Sequence, residues 1–203
     1  MRPFTIPFRL LAASLLAITL LGGCALRPPP APAQAYLLGA SRGEQHASRN
    51  VTLQLAEPGS GAPFSERALV YRESEQRYVQ DFYHVFHAPP AQQLRQRLAA
   101  WLQDAGFGLG GSDARWQLRP RLDALYIDVR EPKSPQAVVG LELELWQSQT
   151  SGPRLVARWP VTTRRTLPSA QADSAMAGLD LALADALREI ELKLAEAVSR
   201  TSP

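Results

Sequence analysis

The hydrophobic pattern of this chain changes period several times, and the changes divide it into elements. Tyr36-Leu37-Leu38 is a short apolar opening of edge-strand character, followed by a polar loop over 39–50. Val51-Thr52-Leu53-Gln54-Leu55 alternates apolar with polar residues, the period of a half-buried strand. A turn with Gly59 and Gly61 follows, then a short strand over Ala68–Arg72 and a charged turn over 73–77. Tyr78 to Phe86 alternates only in part. It predicts a strand through Phe82 and an irregular lead-in to a helix after it.

At Pro89-Pro90 the period changes to that of a helix, since proline is tolerated at the first helical position. Ala91, Leu94, Leu98, Trp101 or Leu102, and Ala105 recur at steps of three and four. Gln92, Gln93, Arg95, Gln96, Arg97 and Gln103 take the other face, and Gly106 stands where a left-handed C-cap belongs. Trp116–Val129 predicts a long strand with Trp116, Leu118, Leu122, Ala124 and Tyr126 on one face, and Pro120 marks an edge or a bulge. After a Pro132-Lys133-Ser134-Pro135 turn, residues 138–147 alternate cleanly, with Val139, Leu141, Leu143 and Leu145 against Glu142 and Glu144. Residues 155–166 return after a loop containing Gly152, so these three strands form an antiparallel meander. The last segment, Asp173–Arg200, is the most periodic. Met176, Leu179, Leu183, Leu187, Ile190, Leu194 and Ala197 or Val198 make one apolar stripe, with the charges mostly off it. Such a stripe can meet a partner helix, but packing on its own sheet is the commoner use.

Strands, helix, three strands and helix together predict an α+β fold, a mostly antiparallel sheet with two amphipathic helices packed on one face.

The first 35 residues follow different rules. Met1–Arg9 carries Arg2 and Arg9 and no acid, and the uncharged run Leu10–Leu21 is about 12 residues, too short for the roughly 20 that span a bilayer. It has the length of a signal-peptide core. Small residues then lead to the only cysteine of the chain, in Leu21-Gly22-Gly23-Cys24. An odd cysteine in an exported protein needs an explanation, and alkylation of its sulfur by lipid supplies one. Residues 25–35 are proline-rich and predict an extended spacer. The organisation expected is a signal peptide over 1–23, a lipidated Cys24 with its tether over 24–35, and a folded domain over 36–200.

Charge and chemistry narrow the function. The chain has 203 residues and a net charge of +3, and the leader holds two of its 22 basic residues, which leaves 20 against 19 acidic ones. The basic residues are scattered, so a nucleic-acid partner is not expected. Asp81, His84 and His87 are the one grouping with metal or acid–base character, but a zinc site needs three or four converging ligands. Glu142 and Glu144 read as a solvated strand face. No nucleophile elbow or phosphate loop stands out. The expectation is a protein that is not an enzyme, with no cofactor and no metal. Tyr78, Phe82, Tyr83 and Phe86 either fill the core or form a partner- or lipid-facing patch, and Lys133 marks a second candidate contact loop.

Leu21-Gly22-Gly23-Cys24 resembles the lipobox of bacterial lipoproteins, with Cys24 as the acceptor. Ala25 in place of an aspartate favours the outer membrane by resemblance to enterobacterial sorting. The lipobox, the proline linker, the Tyr-Leu-Leu opening, Val70-Tyr71-Arg72, Arg77-Tyr78, a helix with Leu94, Leu98 and Leu102, and the Ala-Leu-Ala-Asp-Ala-Leu closing helix together resemble the ABC-type transport auxiliary lipoproteins, of the paraquat-inducible protein C type. That resemblance implies an envelope lipoprotein accompanying an ABC permease and ATPase and a protein with an MCE (mammalian-cell-entry) domain, in a system that moves lipids or hydrophobic compounds. A lipid-binding or outer-membrane assembly lipoprotein without a transporter is the alternative.

Overall fold

The computed structural model describes residues 32–201, which include one compact unit beginning at Ala33. Cys24, the signal segment and most of the tether lie outside the described residues. The fold is α+β. Its strands are β1 (Gln34–Tyr36), β2 (Thr52–Leu55), β3 (Gly59–Ser60), β4 (Ala68–Arg72), β5 (Tyr78–Phe86), β6 (Gly108–Leu109), β7 (Trp116–Asp128), β8 (Gln136–Gln147) and β9 (Arg154–Thr166). Its helices are α1 (Pro90–Asp104) and α2 (Ala172–Thr201).

All nine strands belong to one sheet built around β7. One edge of β7 pairs antiparallel with β8 along its whole length, and β8 pairs antiparallel with β9, which is the expected meander. The other edge is shared. β2 pairs parallel with Leu118 and its neighbours, β3 with Arg121 and Leu122, and β4 with Ile127 and Asp128. Pro120 falls between the β2 and β3 pairings, where that edge has no ladder partner. A central strand therefore tolerates a residue that cannot donate. Beyond β4 the sheet continues through β5 to β1, so β1 and β9 form its two opposite edges.

A register shift between Leu122 and Ala124 corrects the expected face of β7. A bulge reverses the inward–outward alternation beyond it. Trp116, Leu118 and Leu122 face the helices, and past the bulge Leu125 and Ile127 take over that face. Ala124 and Tyr126 go to the other side, opposite Gly140 and Val138. Tyr126 there packs edge-on against Tyr78 at 5.5 Å and stacked against Phe64 at 5.9 Å. The Arg72 guanidinium lies over both tyrosine rings, 5.5 and 5.8 Å from their centres. This gives Val70-Tyr71-Arg72 and Arg77-Tyr78 a structural role. Arg72 and Tyr78 of these motifs close the second face of the sheet with a cation–aromatic stack.

The core lies between the inner face and the two helices. Leu94, Leu98 and Leu102 of α1 are buried, as is the whole stripe of α2 from Met176 to Val198. Each fully buried leucine contributes about 1.5–3 kcal/mol relative to exposure. α1 begins with Pro90 at its first position and ends before Gly106, whose φ of +85° is the left-handed conformation that glycine adopts without strain. α2 packs tightly at Gly178, where a Cβ would overlap the Leu167 side chain and stand 3.1 Å from the Ala137 Cβ.

Candidate functional site

β5 does not end at Phe82. It continues to Phe86, and its irregularity is an excursion within the strand. Val70 of β4 pairs with Gln80, but Ala68 pairs with Val85, so Leu69 alone faces the four residues Asp81–His84. The surplus residues form a knuckle at the sheet edge. Asp81 holds it together. Its Oδ1 accepts the Tyr83 N–H at 2.8 Å and the His84 N–H at 3.1 Å, and its Oδ2 lies 2.7 Å from His84 Nδ1. This is the local side-chain capping for which aspartate is suited. Burial pushes the Asp81 carboxyl up, but the hydrogen bonds from His84 and the two backbone groups and the His84 charge prevail, and it sits below its ordinary value.

The knuckle separates the aromatics that the sequence grouped together. Phe82 is 83% exposed and Tyr83 53%. Phe86 is 1% exposed in the core, and Tyr78 is half-buried in the stack with Phe64 and Tyr126, so these two residues serve packing rather than an open surface. Lys133 is exposed in the β7–β8 turn, where Ser134 N–H closes on the Glu131 carbonyl at 3.0 Å. It is remote in topology from the knuckle, and the structure does not combine the two into one site.

Beside the knuckle is a cleft of about 390 Å³ lined by Gln34, Tyr36, Tyr71, His84 and the start of α2. The Tyr36 hydroxyl lies 3.0 Å from both Gln34 Oε1 and Asp173 Oδ1, and the Tyr71 hydroxyl donates to the Ala170 carbonyl at 3.3 Å. Burial, followed by the Asp81 charge and Tyr36, pushes the Tyr71 phenol up to about 12. Burial and the Asp173 hydrogen bond also raise Tyr36. Both phenols are therefore neutral hydrogen-bonding groups at physiological pH, unsuited to act as bases.

Two further constellations are structural. On the open sheet face, Trp146 Nε1 donates to Glu144 at 2.9 Å, Arg158 pairs with the same carboxylate, and Arg119 lies 4.6 Å above the Trp146 ring. The Trp146 hydrogen bond, and then Arg158, hold Glu144 below its ordinary value despite some desolvation; Glu142 lies 3.7 Å from Arg121, and both carboxylates belong to a charged ladder. Within the core, Glu191 is 6% exposed. It accepts Arg42 Nε at 2.8 Å, Arg42 Nη2 at 3.0 Å and Trp101 Nε1 at 3.0 Å, with Arg49 at 3.5 Å. This knot binds the 39–50 loop to both helices. The apolar period does not announce this knot, although a carboxylate between Ile190 and Leu194 on the buried stripe is a visible signal. Among the described residues, no three His, Cys, Asp or Glu side chains converge to hold a metal ion.

No family model and no curated protein sequence matches the chain. Solved structures do. The fold has been seen before. Protein XCC0632 from Xanthomonas campestris, described with the family model DUF330, superposes with a TM-score of 0.70, covering 82% of this chain and 98% of its own at 15% identity. An uncharacterized protein gives 0.65 at 18% identity, covering 80% and 99%. The hypothetical protein CT253 from Chlamydia trachomatis gives 0.55 at 8% identity, covering 73% and 97%. At these identities the likeness concerns the fold alone.

Proposed function

We propose that this chain is a lipid-anchored envelope protein that serves, without catalysis of its own, as the accessory subunit of an ABC/MCE-type system moving lipids or hydrophobic compounds. One observation carries the reading. The only cysteine closes Leu21-Gly22-Gly23-Cys24 after an uncharged run and is followed by a proline-rich spacer that leads into a folded domain. Two or three acyl chains on one cysteine make a stable anchor where a single chain does not. Ala25 directs the anchored protein to the outer membrane, with the domain facing the periplasm.

The side chains with acid–base potential support an adaptor. Asp81 and His84 brace a turn, Glu144 sits in a ladder, and Tyr36 and Tyr71 are held neutral. The partners are the MCE-domain protein and the ABC permease and ATPase, and ATP hydrolysis resides in the ATPase. The test is affinity purification of the full chain from native membranes with Cys24 intact. An MCE-domain protein and the permease and ATPase are expected to co-purify. Recovery of outer-membrane assembly components in their place overturns the transport reading in favour of a transporter-independent lipoprotein.

A further inference from the structure

We infer that the Phe82–Tyr83 knuckle is a membrane-contact element, inserting its two aromatic rings into the interface of the bilayer to which Cys24 is anchored. The inference rests on the anchored reading above and adds to it which edge of the domain meets the lipid.

The first argument is where the tether arrives. β1 runs parallel to β5 with Gln34 beside His84, Ala35 beside Val85 and Tyr36 beside Phe86. β1 therefore begins beside the knuckle, with Gln34 level with His84, the residue next to Tyr83. Eight residues lie between Cys24 and Ala33, and a chain of that length spans at most roughly 30 Å, so a lipid on Cys24 keeps this edge within that distance of the bilayer. Phe82 is the most exposed large apolar side chain among the described residues, and Tyr83 stands next to it. Leu37 follows β1 directly, Leu155 lies on the opposite edge strand, and Leu181 and Leu192 lie on α2.

The second argument is how the knuckle is built. A backbone N–H moved into an apolar medium must already be hydrogen-bonded. In the knuckle the N–H groups of Tyr83 and His84 are both taken by Asp81, and the remaining oxygen of that carboxylate is occupied by His84. Phenylalanine and tyrosine side by side combine an apolar ring with one that carries a polar tip, the kind of side chain enriched at the headgroup boundary. The tether also makes insertion an intramolecular event. High effective concentration lets two rings suffice where a free domain would not stay bound.

The experiment uses the mature full chain reconstituted in phospholipid vesicles, with a nitroxide label at Phe82→Cys or, as a control in the β8–β9 loop beside the opposite sheet edge, at Thr150→Cys. Both positions are exposed, so neither change disturbs the core. Collision with oxygen, which dissolves in lipid, and with a water-soluble nickel complex is read by electron paramagnetic resonance. The expected result is a several-fold higher oxygen-to-nickel accessibility ratio at 82 than at 150. A lipidated chain with equal, water-like ratios at both sites overturns insertion and leaves the anchored reading standing. Protection at 82 from both reagents identifies a protein contact and likewise overturns it. An unmodified Cys24 in the intact mass of the same sample overturns the anchored reading and the insertion together.

Discussion

Glu191 offers the sharpest test of how the domain is held together. Replacing it with alanine leaves four donors, on Arg42, Arg49 and Trp101, without their acceptor. Trp101 Nε1, on a side chain 2% exposed, loses its partner at 3.0 Å, and an unsatisfied buried donor costs about 1–3 kcal/mol. Arg42 loses both of its charge-assisted bonds to this carboxylate. Removing one partner of a buried ion pair costs about 3–5 kcal/mol. Arg42 keeps 13% of its side-chain surface in water, so solvent recovers part of that loss, and we expect about 3 kcal/mol for Glu191→Ala. In urea, with a slope of about 2 kcal/mol per molar, the unfolding midpoint falls by about 1.5 M.

The assay is urea unfolding followed by far-ultraviolet circular dichroism, with Glu196→Ala as the control. Glu196 pairs with Arg200 in the open, and its loss costs less than about 1 kcal/mol. The sign of the pH dependence follows from the site. Burial raises the Glu191 carboxyl, but the hydrogen bonds from Arg42 and Trp101 and the charges of Arg42 and Arg49 outweigh it and hold the group below its ordinary value. Its contribution is therefore present above the unfolded carboxylate pKa and lost as pH falls through the lower folded value. The gap between wild type and Glu191→Ala narrows on acidification. A loss below about 1 kcal/mol at neutral pH, in the range of an exposed pair, refutes the buried-knot account.

Phe86→Ala is expected to cost about 3–5 kcal/mol, as for other buried aromatics, whereas Phe82→Ser stays within about 0.5 kcal/mol; thermal unfolding of the two variants distinguishes core from knuckle. Asp81→Ala removes the two backbone caps and costs about 1–2 kcal/mol, and amide hydrogen exchange at Tyr83 and His84 is expected to accelerate with no change in the β7–β9 meander. Gly178→Leu drives a side chain into Leu167 and Ala137 and destabilises by at least 1–3 kcal/mol, read as a lower midpoint in the same urea titration.

The long, strongly periodic elements were legible. The meander strands, α1 and α2 lie within two residues of their expected bounds, because burial on one face writes a period of two or 3.6 directly into the sequence. What was not legible depends on pairing partners far along the chain. The two-residue strands β3 and β6 have no period of their own and exist because β7 and β2 offer them an edge. The reversal of Ala124 and Tyr126 comes from a bulge opposite β8, and no alternation within β7 announces it. The Tyr78–Phe86 segment shows the same limit. Its broken alternation was visible, but only the pairing with β4 shows that the break is an excursion that exposes Phe82 and Tyr83 while Phe86 returns to the core. Arg72 and Tyr78, two of the residues that carry the family resemblance, form a stack beneath the sheet.

The proposed function depends first on Cys24 as the membrane anchor of this domain. Intact-mass spectrometry of the chain purified from membranes tests it most directly. A mature protein that begins at Cys24 and carries diacylglyceryl and acyl groups there is expected, together with a Cys24→Ser variant that is neither lipidated nor cleaved at that position. A mature chain with a free Cys24 thiol, or normal processing of the serine variant, would contradict it.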